Sequence, residues 1–443
     1  MKNRLRAFWD DLTSTYWFVP ALMAAATFVL FYITVSLDVL IGGDFVRSTS
    51  WLFHNTPDSA RLIFSTIASA VMTVIGVVFS LTMVVLTLTS QQYGPLIVTN
   101  FMRDRGNQIS LGTFTATFIY SLLILRTIRG SLTEGFFIPH ISSLVGFLLA
   151  LASLAILIYF IHHVSMSIQS TQILADIRSQ LLDTIGDVFP IQIGEDVQQA
   201  RIDHPKEHVP ENFDDQSQSI RFPESGYIDY IDSEALFALT LEHDVLLEVK
   251  YRPGDFITAR SILGRAYPLE HVTPEVVRAI QAAYIVGDRR TPAQDVEFLI
   301  DQLASIAVRA LSPGINDPFT AQMCLDRLGE GLCKLGSRRL PSAYRFDHDG
   351  RLRVIASSIT FETTLYRAFD EIRHYGGRDL KVTIHLLDVL ATISECVIDE
   401  YRDVLPPYAE AIWRACRSGL TEDLDLRRLD TAYYETQRAL KAD

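Results

Sequence analysis

The sequence predicts a membrane all-α region of four transmembrane helices, followed by a soluble α+β, mainly helical, cytosolic domain. Four long apolar segments fill the first 165 of the 443 residues and contribute to an apolar content of 49%. Each segment reaches the roughly 20 residues that a helix needs to cross a bilayer. Beyond about residue 168, charged residues return at the density of a globular domain. One short stretch there has the pattern of β-strands.

The four predicted spans run from Trp17 to Leu37, Leu62 to Ser90, Ile109 to Ile128 and Phe136 to His162. A helix is expected for each, because a segment in lipid must satisfy its own backbone hydrogen bonds. The even number of spans places both termini on the same side of the membrane. No acidic residue lies deep in these segments, which disfavours a proton-coupled transporter, because such proteins rely on intramembrane carboxylates.

The distribution of basic residues predicts the orientation, because cytoplasmic loops of membrane proteins carry an excess of Lys and Arg. The side that holds the termini has Lys2, Arg4, Arg6, Arg103 and Arg105. The opposite side has Arg47, Arg61, Arg126 and Arg129. We therefore expect a multi-pass protein of the bacterial inner membrane with both termini in the cytosol.

The second predicted span is longer than a crossing requires, and one of its helical faces is polar. That face comprises Ser65, Ser69, Thr73, Gly76, Ser80, Thr87 and Gln91. Two interpretations stay open. The face could pack against other helices, where small residues allow close approach and hydroxyl groups exchange hydrogen bonds. Alternatively, copies of this helix surround a water-filled path, and the face lines a pore.

Two arginines, Arg126 and Arg129, lie at the end of the third predicted span. Long basic side chains near helix ends commonly extend towards the headgroups, which is one interpretation of this pair. In the other interpretation, the pair forms a basic vestibule that favours anions.

Three segments carry a resemblance to one family. They are FSLTMVVLTLTSQQYGP, NFMRDRGNQISLGTFTATFIYSLLILRTIR and RTPAQDVEFLIDQLASIAVRALSPGINDPFTAQMCLDRL. In these segments the chain resembles the bacterial predicted-membrane-protein family catalogued as domain of unknown function 2254, and the similarity extends over nearly the whole chain. The resemblance implies a membrane-embedded protein and implies no particular activity.

The chain divides into five predicted segments, of which residues 1–165 form the transmembrane domain. Residues 166–190 keep one apolar stripe and predict an amphipathic stalk helix, whose seam could pair with copies of itself. Residues 191–225 are polar and predict a linker. Residues 226–272 predict a small β-α-β-β unit. Residues 273–443 predict helices packed on that unit, because a small sheet cannot leave two apolar faces exposed.

Two helix starts in the last segment carry capping signals. Thr291, Pro292 and Gln294 have the spacing of an N-cap, a proline at the first helical position and a capping box. The helix that they predict has a buried face of Val296, Leu299, Leu303, Ile306 and Ala310. Asp317 and Pro318 predict the start of the next helix, which runs toward Leu335.

The SPGIND break between these two helices is the candidate binding site of the soluble half. The free amides of a helix N-terminus, beside Arg309, Gly314, Asn316 and Thr320, could hold an anion or a phosphorylated ligand. The alternative is a tight interhelical corner that is closed by its own cap. The Asp317 carboxylate disfavours an anion at this point.

Charge and motifs argue against several classes of function. The formal net charge is -13 and no basic stripe is present, which disfavours nucleic acid as a partner. The four cysteines match no zinc pattern. No catalytic signature occurs in the context that it needs. We therefore expect no metal, no cofactor, no catalytic residue and no enzymatic activity.

These features favour a homo-oligomeric ion channel or pore-like transport protein in the lipid bilayer. Its second span would line a path for small ions, and its cytosolic domain would assemble and regulate it. The alternative is a membrane-anchored sensor or scaffold whose cytosolic domain binds a ligand or a protein partner. The oligomeric state separates the two, because a pore of this kind needs several copies around one axis.

Overall fold

The computed structural model describes residues 15–48, 57–93, 104–131, 135–137, 139–167, 169–189 and 205–441. The chain divides into two compact units, Met1–Gln172 and Ile173–Asp443. We call the first the transmembrane unit and the second the C-terminal unit. The first part of the predicted linker, residues 191–204, lies outside the described residues.

Four long apolar helices build the transmembrane unit. They are α1 (Phe18–Ser48), α2 (Pro57–Tyr93), α3 (Arg105–Thr127) and α4 (His140–Ser167). The segments Phe18–Leu40, Pro57–Gln91, Arg105–Thr127 and His140–Met166 are long and apolar enough to cross a membrane. This confirms the four predicted spans. Between α3 and α4, the strands β1 (Arg129–Ser131) and β2 (Gly135–Phe137) pair antiparallel.

Helix α3 is the central helix of this unit. It packs against α1, α2 and α4, and half of its span is buried, more than in the other three spans. Asp104 caps its start by accepting a hydrogen bond from the amide of Asn107 at 3.2 Å. Its buried residues include polar as well as apolar side chains, so the interior of the unit is only partly apolar.

The C-terminal unit contains two β-sheets. The larger has the order β3-β7-β5-β10-β9, with strands Gln218–Arg221 (β3), Leu246–Val249 (β5), Ile262–Tyr267 (β7), Tyr344–Phe346 (β9) and Leu352–Ala356 (β10). The smaller has the order β6-β4-β8, with strands Gly226–Ile231 (β4), Phe256–Ile257 (β6) and Tyr284–Gly287 (β8). β5 and β10 pair parallel, and the other pairs are antiparallel.

Helices form the rest of the C-terminal unit, which confirms the predicted α+β, mainly helical, fold class. They are α5 (Ser170–Val188), α6 (Ser233–Glu242), α7 (Pro274–Ala282), α8 (Val296–Ala310), α9 (Pro318–Gly336), α10 (Phe361–Gly376), α11 (Leu380–Cys396), α12 (Asp399–Arg402), α13 (Leu405–Arg417) and α14 (Asp423–Ala439). An apolar core joins α6 and α7 to strands of both sheets. α8 packs against α9 and α10, and α9 also packs against α11.

The predicted stalk is helix α5, and its apolar stripe is buried within the chain. The buried residues are Ile173, Leu174, Ile177, Leu181, Thr184 and Ile185. An ion pair of Arg178 with Glu330 joins α5 to α9, and Lys334 donates to the carbonyl of Leu182 at 2.5 Å. All of α5 is described, and its stripe is covered by the same chain, so it leaves no free apolar seam for a copy.

Strands occur where the sequence analysis expected none. β3 lies in the predicted linker, and β8, β9 and β10 lie in the region predicted as helices. The third strand predicted in the β-α-β-β unit is FITARSIL, residues 256–263. A turn at residues 259–260 divides it into β6 and β7, which belong to different sheets. The reason is that periodicity identifies short apolar runs poorly, and only the partner strands make them strands.

One predicted cap is wrong and the other is confirmed. Asp295, not Thr291, caps α8 by accepting from the amide of Phe298 at 2.9 Å. The Gln294 side chain instead forms two hydrogen bonds with Ile231 at the end of β4. Its oxygen accepts from the Ile231 amide at 2.9 Å, and its nitrogen donates to the Ile231 carbonyl at 3.3 Å. The predicted buried face of α8 is confirmed. Asp317 caps α9 as predicted, with proline in its first turn.

Candidate functional site

The polar face predicted on the second span lies on the outer surface of the transmembrane unit. All seven of its residues are exposed: Ser65, Ser69, Thr73, Gly76, Ser80, Thr87 and Gln91. The buried residues of α2 are Ala60, Phe64, Ala68, Val71, Val78, Thr82, Val85 and Thr89. At about 100° per residue, the two sets are centred roughly 160° apart around the helix. The face is therefore left uncovered by the other described helices of the transmembrane unit.

Hydroxyl groups on this face bond to their own helix. Ser65 donates to the carbonyl of Leu62 at 3.0 Å, and Thr73 donates to that of Ser69 at 3.0 Å. Thr87 likewise donates to a carbonyl one turn earlier. A donor satisfied in this way can face an apolar environment at small cost, and its oxygen still has a free lone pair. A Cβ at Gly76 would meet nothing within 4 Å. The pore-lining role of the face stays a prediction.

An acidic residue is buried near the end of the first span. The side chain of Asp38 is 6% exposed, and it lies within the span Phe18–Leu40. It accepts from the amides of Ile141 and Ser142, at 2.7 and 2.9 Å, and from the Ser142 hydroxyl at 2.6 Å. Asp38 thus caps the start of α4. It follows directly after Leu37, the predicted end of this span, because the first helix continues to Ser48.

Buried hydroxyl groups continue this polar interior along α3. The Tyr120 hydroxyl lies 2.9 Å from that of Thr34 and donates to the carbonyl of Ser142 at 3.2 Å. Nearer the middle of the helix, the hydroxyls of Thr117 and Ser153 are 2.8 Å apart. These bonds join α3 to α1 and α4. They hold three helices together inside lipid, where apolar contact alone gives little preference for protein over lipid.

The start of α3 carries a second acidic residue. Asp104 lies 2.9 Å from Nε2 of His163 on α4, and the ring of Tyr159 stacks on His163 at 5.3 Å. Gly106 permits this approach, because a Cβ there would lie 2.7 Å from His163 Nε2. Among the described residues, the buried side-chain amide of Asn107 has no hydrogen-bond partner.

The two acidic residues are far apart. Asp104 and Tyr120, which adjoins the Asp38 cluster, are separated along α3 by about 24 Å. The buried polar residues described between them on α3 are amides and hydroxyls. The two acidic residues therefore form separate polar contacts between helices and not a continuous carboxylate relay. The sequence contained a signal for these buried polar residues of α3. α3 is the least apolar of the four spans, and it begins with an Asp-x-x-Asn-Gln pattern.

The predicted basic vestibule is described only in part. Arg126 is exposed in the last turn of α3. Arg129 begins β1, and its side chain lies outside the described residues. The vestibule stays a prediction.

The SPGIND break forms a corner between α8 and α9. Asn316 has a positive φ of 49°, and the amide of Asp317 donates to the carbonyl of Ala310 at 2.7 Å. The Asp317 carboxyl group accepts from both the amide and the hydroxyl of Thr320, at 3.1 and 2.5 Å. This geometry favours a self-capped corner. Ligand binding by Arg309, Gly314, Asn316 and Thr320 stays a prediction.

The described residues contain no group of three or more His, Cys, Asp or Glu side chains that could hold a metal ion. All four cysteines are free. Burial raises the pKa of Cys324, and burial together with the neighbouring Cys396 raises the pKa of Cys333 to about 12. Both thiols are therefore protonated at neutral pH and are poor nucleophiles.

Comparisons with known proteins agree with this architecture. Residues 13–392 match the family model described as "Predicted membrane protein (DUF2254)". Uncharacterized protein MT1328 of Mycobacterium tuberculosis (strain CDC 1551 / Oshkosh) is 32% identical over 416 residues, 91% of this chain and 76% of the relative. Uncharacterized protein Mb1321c of Mycobacterium bovis (strain ATCC BAA-935 / AF2122/97) is 31% identical over 414 residues, with the same coverage. No solved structure matches the chain.

Proposed function

The chain is a multi-pass membrane protein of the DUF2254 family, and on that premise we propose that it is a homo-oligomeric ion channel or pore-like transport protein. Several copies place α2 around a shared axis, and small ions pass along its polar face. The C-terminal unit assembles and regulates the oligomer without an enzymatic step. The protein lies in the bacterial inner membrane, and both of its termini are on the cytosolic side.

One observation carries this proposal. The seven residues of the polar face all lie on the side of α2 that the other helices of the transmembrane unit leave uncovered, while the residues that α2 buries are mainly apolar. A helix that meets only lipid has no reason to collect hydroxyl groups and a glycine along six turns of its outer face. Copies of the helix facing one another across water would use that face.

The chemistry of the face indicates what it would select. From Leu62 to Gln91, α2 contains no charged side chain, so its face offers ions only neutral oxygens. Such a path admits ions according to size and hydration, and charge selection would depend on groups at its mouths. Arg126 and Arg129 would favour anions if they line a mouth.

The test is ion flux from vesicles containing the purified full-length protein. Ser80→Trp should change the flux roughly tenfold or more, because a bulky side chain would fill a path lined by small residues. Phe79→Trp is the matched control, because Phe79 is also exposed on α2 but lies outside the polar face. Absence of flux from a folded wild-type oligomer, or equal effects of the two variants, would contradict the proposal.

Cysteine accessibility supplies a readout that does not depend on flux. In a Cys396→Ser background, Thr73→Cys should react with a charged, membrane-impermeant thiol reagent, because the thiol would face water. Phe79→Cys, at a position that is also exposed on α2 but lies outside the polar face, should stay unreactive because it would face lipid. The opposite pattern would show that the polar face is in contact with lipid.

A further inference from the structure

We propose that Cys333 and Cys396 form a reversible disulfide bond when the protein meets a hydroperoxide, so that the C-terminal unit contains a redox-sensitive modification site. The proposal goes beyond the channel and does not depend on conduction. It rests on the contact between the two thiols and on the packing of the two helices that carry them, α9 and α11.

Helices α9 and α11 run side by side in the same direction. Three contacts between them join residues that are 59 positions apart. These contacts are Gln322 with the carbonyl of Lys381, Asp326 with His385, and Cys333 with the carbonyl of Thr392. A constant offset over about three turns means that the two helices are parallel and in register.

The two backbones approach closely at the end of this interface, where the cysteines lie. A Cβ at Gly336 would be 2.4 Å from the side chain of Val397, and the amide of Ile398 donates to the carbonyl of Gly336 at 2.9 Å. Cys396 is the last residue of α11 and directly precedes Val397. Cys333 lies in the last turn of α9, three residues before Gly336.

The thiol of Cys333 lies against the last turn of α11. It donates to the carbonyl of Thr392 at 4.0 Å. Cys396 follows Thr392 by about one helical turn, so the two share a face, and the side chain of Cys396 leans back toward Thr392. The thiols of Cys333 and Cys396 are in hydrogen-bond contact. Because Cys396 belongs to a terminal turn, the backbone there can adjust to the geometry that a disulfide needs.

The two thiols differ in exposure, and this difference assigns their order of reaction. Cys396 is exposed and Cys333 is half-buried, so a hydroperoxide in solution meets Cys396 first. Burial and the neighbouring Cys396 raise the pKa of Cys333, which makes Cys333 a poor nucleophile toward molecules in solution. Its reaction with Cys396 needs no encounter, because the two sulfur atoms are already held side by side.

The reaction takes two steps and transfers two electrons to the hydroperoxide. The sulfur of Cys396 attacks one oxygen of the hydroperoxide, the O–O bond breaks, and an alcohol or water leaves, so that Cys396 becomes a sulfenic acid. The sulfur of Cys333 then attacks the sulfur of Cys396. The S–S bond forms, the S–O bond breaks, and the departing hydroxide takes the proton of Cys333 to give water.

The disulfide would join α9 to the end of α11 covalently. It closes a loop of about 60 residues and removes conformational entropy from the unfolded chain. It should therefore raise the thermal midpoint of the C-terminal unit by several degrees. A thiol reductant would reverse the change.

The experiment treats the purified full-length protein with hydrogen peroxide, denatures it and alkylates the remaining thiols. We expect two of the four thiols to be lost. Mass spectrometry after proteolysis should find a pair of peptides joined through Cys333 and Cys396. Dithiothreitol should restore all four thiols and return the thermal midpoint to that of the untreated protein.

Three variants separate the two steps. Cys333→Ser should stop after the first step and leave a sulfenic acid on Cys396, which a cyclic 1,3-diketone would trap. Cys396→Ser should protect Cys333 from peroxide. Cys416→Ser is the matched control, because Cys416 is a buried thiol on α13, and it should form the same joined peptides as the wild type.

Several outcomes would overturn the proposal. One is wild-type protein in which Cys396 is oxidised alone, to a sulfinic acid or to a disulfide between two chains. Another is protein that keeps all four thiols at a peroxide concentration that oxidises Cys396 in Cys333→Ser. Joined peptides without a rise in the thermal midpoint would contradict the constraint that the bond places on α9 and α11.

Discussion

Helix α4 of the transmembrane unit is capped by a distant residue, whereas α3 and several helices of the C-terminal unit are capped by the residue directly before them. The carboxyl group that caps α4 comes from Asp38, 103 positions before the amide of Ile141. In the C-terminal unit, α8, α9 and α11 are capped by the residue directly before them, namely Asp295, Asp317 and Asp379. In lipid, a cap supplied by another helix satisfies buried amides and also joins two spans. In water, a local cap suffices, and apolar burial joins the helices.

The two units also bury different residues. The central helix of the transmembrane unit buries amides and hydroxyls, including Asn107, Thr117 and Tyr120. α5, the first helix of the C-terminal unit, buries a stripe led by Leu174, Ile177 and Leu181. Where lipid surrounds the protein, hydrogen bonds between buried polar side chains determine which helices pack together. Where water surrounds it, burial of apolar side chains stabilises the packing. Three substitutions test it, in order of expected effect.

The largest effect is expected from Leu181→Ala on α5. Leu181 is fully buried, and removing its side chain should destabilise the C-terminal unit by about 2–5 kcal/mol, through lost burial and the cavity left behind. Hydrogen exchange in α9 would measure this loss. Leu269→Ala is the control, because Leu269 is 56% exposed and should change stability by less than about 0.5 kcal/mol. Unchanged exchange in α9 would mean that α5 is not an integral helix of this unit.

Asp38→Ala should have the next largest effect. It removes the acceptor of three hydrogen bonds at the start of α4, and we expect a loss of about 2–3 kcal/mol in the transmembrane unit. Thermal unfolding in detergent and hydrogen exchange at the first turn of α4 would measure it. Asp58→Ala is the control, because 93% of the Asp58 side chain is exposed. Equal stability of the two variants would break the contrast between the units.

The smallest effect is expected from Glu330→Gln and depends on pH. The hydrogen bond from Arg178 lowers the pKa of Glu330. A lowered pKa in the folded state contributes stability above the unfolded pKa of about 4.3, and the contribution is lost as the pH falls through the folded value. The wild type should therefore exceed the variant in stability at neutral pH and lose this advantage in acid. The effect is small because water screens this partly exposed pair.

Denaturant midpoints at neutral and acidic pH would measure this difference. Glu410→Gln is the control, because its pair with Arg414 is more exposed, at 3.7 Å, and should add little at either pH. An advantage of the wild type over Glu330→Gln that persists in acid would contradict the assignment to this ion pair.

The sequence supplied the features that depend on neighbouring residues. Apolar length located the four spans, and Asp317 with Pro318 located the start of α9, because both signals are contained in one short segment. The cap at Thr291 failed because Gln294 is engaged by the distant Ile231. β8 and β10 were missed because strands of four and five residues acquire their pattern only from their partners.

For the candidate site, the sequence by itself determined that the second span has one polar face, since helical period alone sets which residues share a face. Only the tertiary structure decided that this face points outward, and that Asp38, Tyr120 and Ser142 meet inside the bundle. The physical reason is that periodicity describes a helix relative to its own axis. Which face is covered depends on the helices that pack against it, and these come from distant parts of the chain.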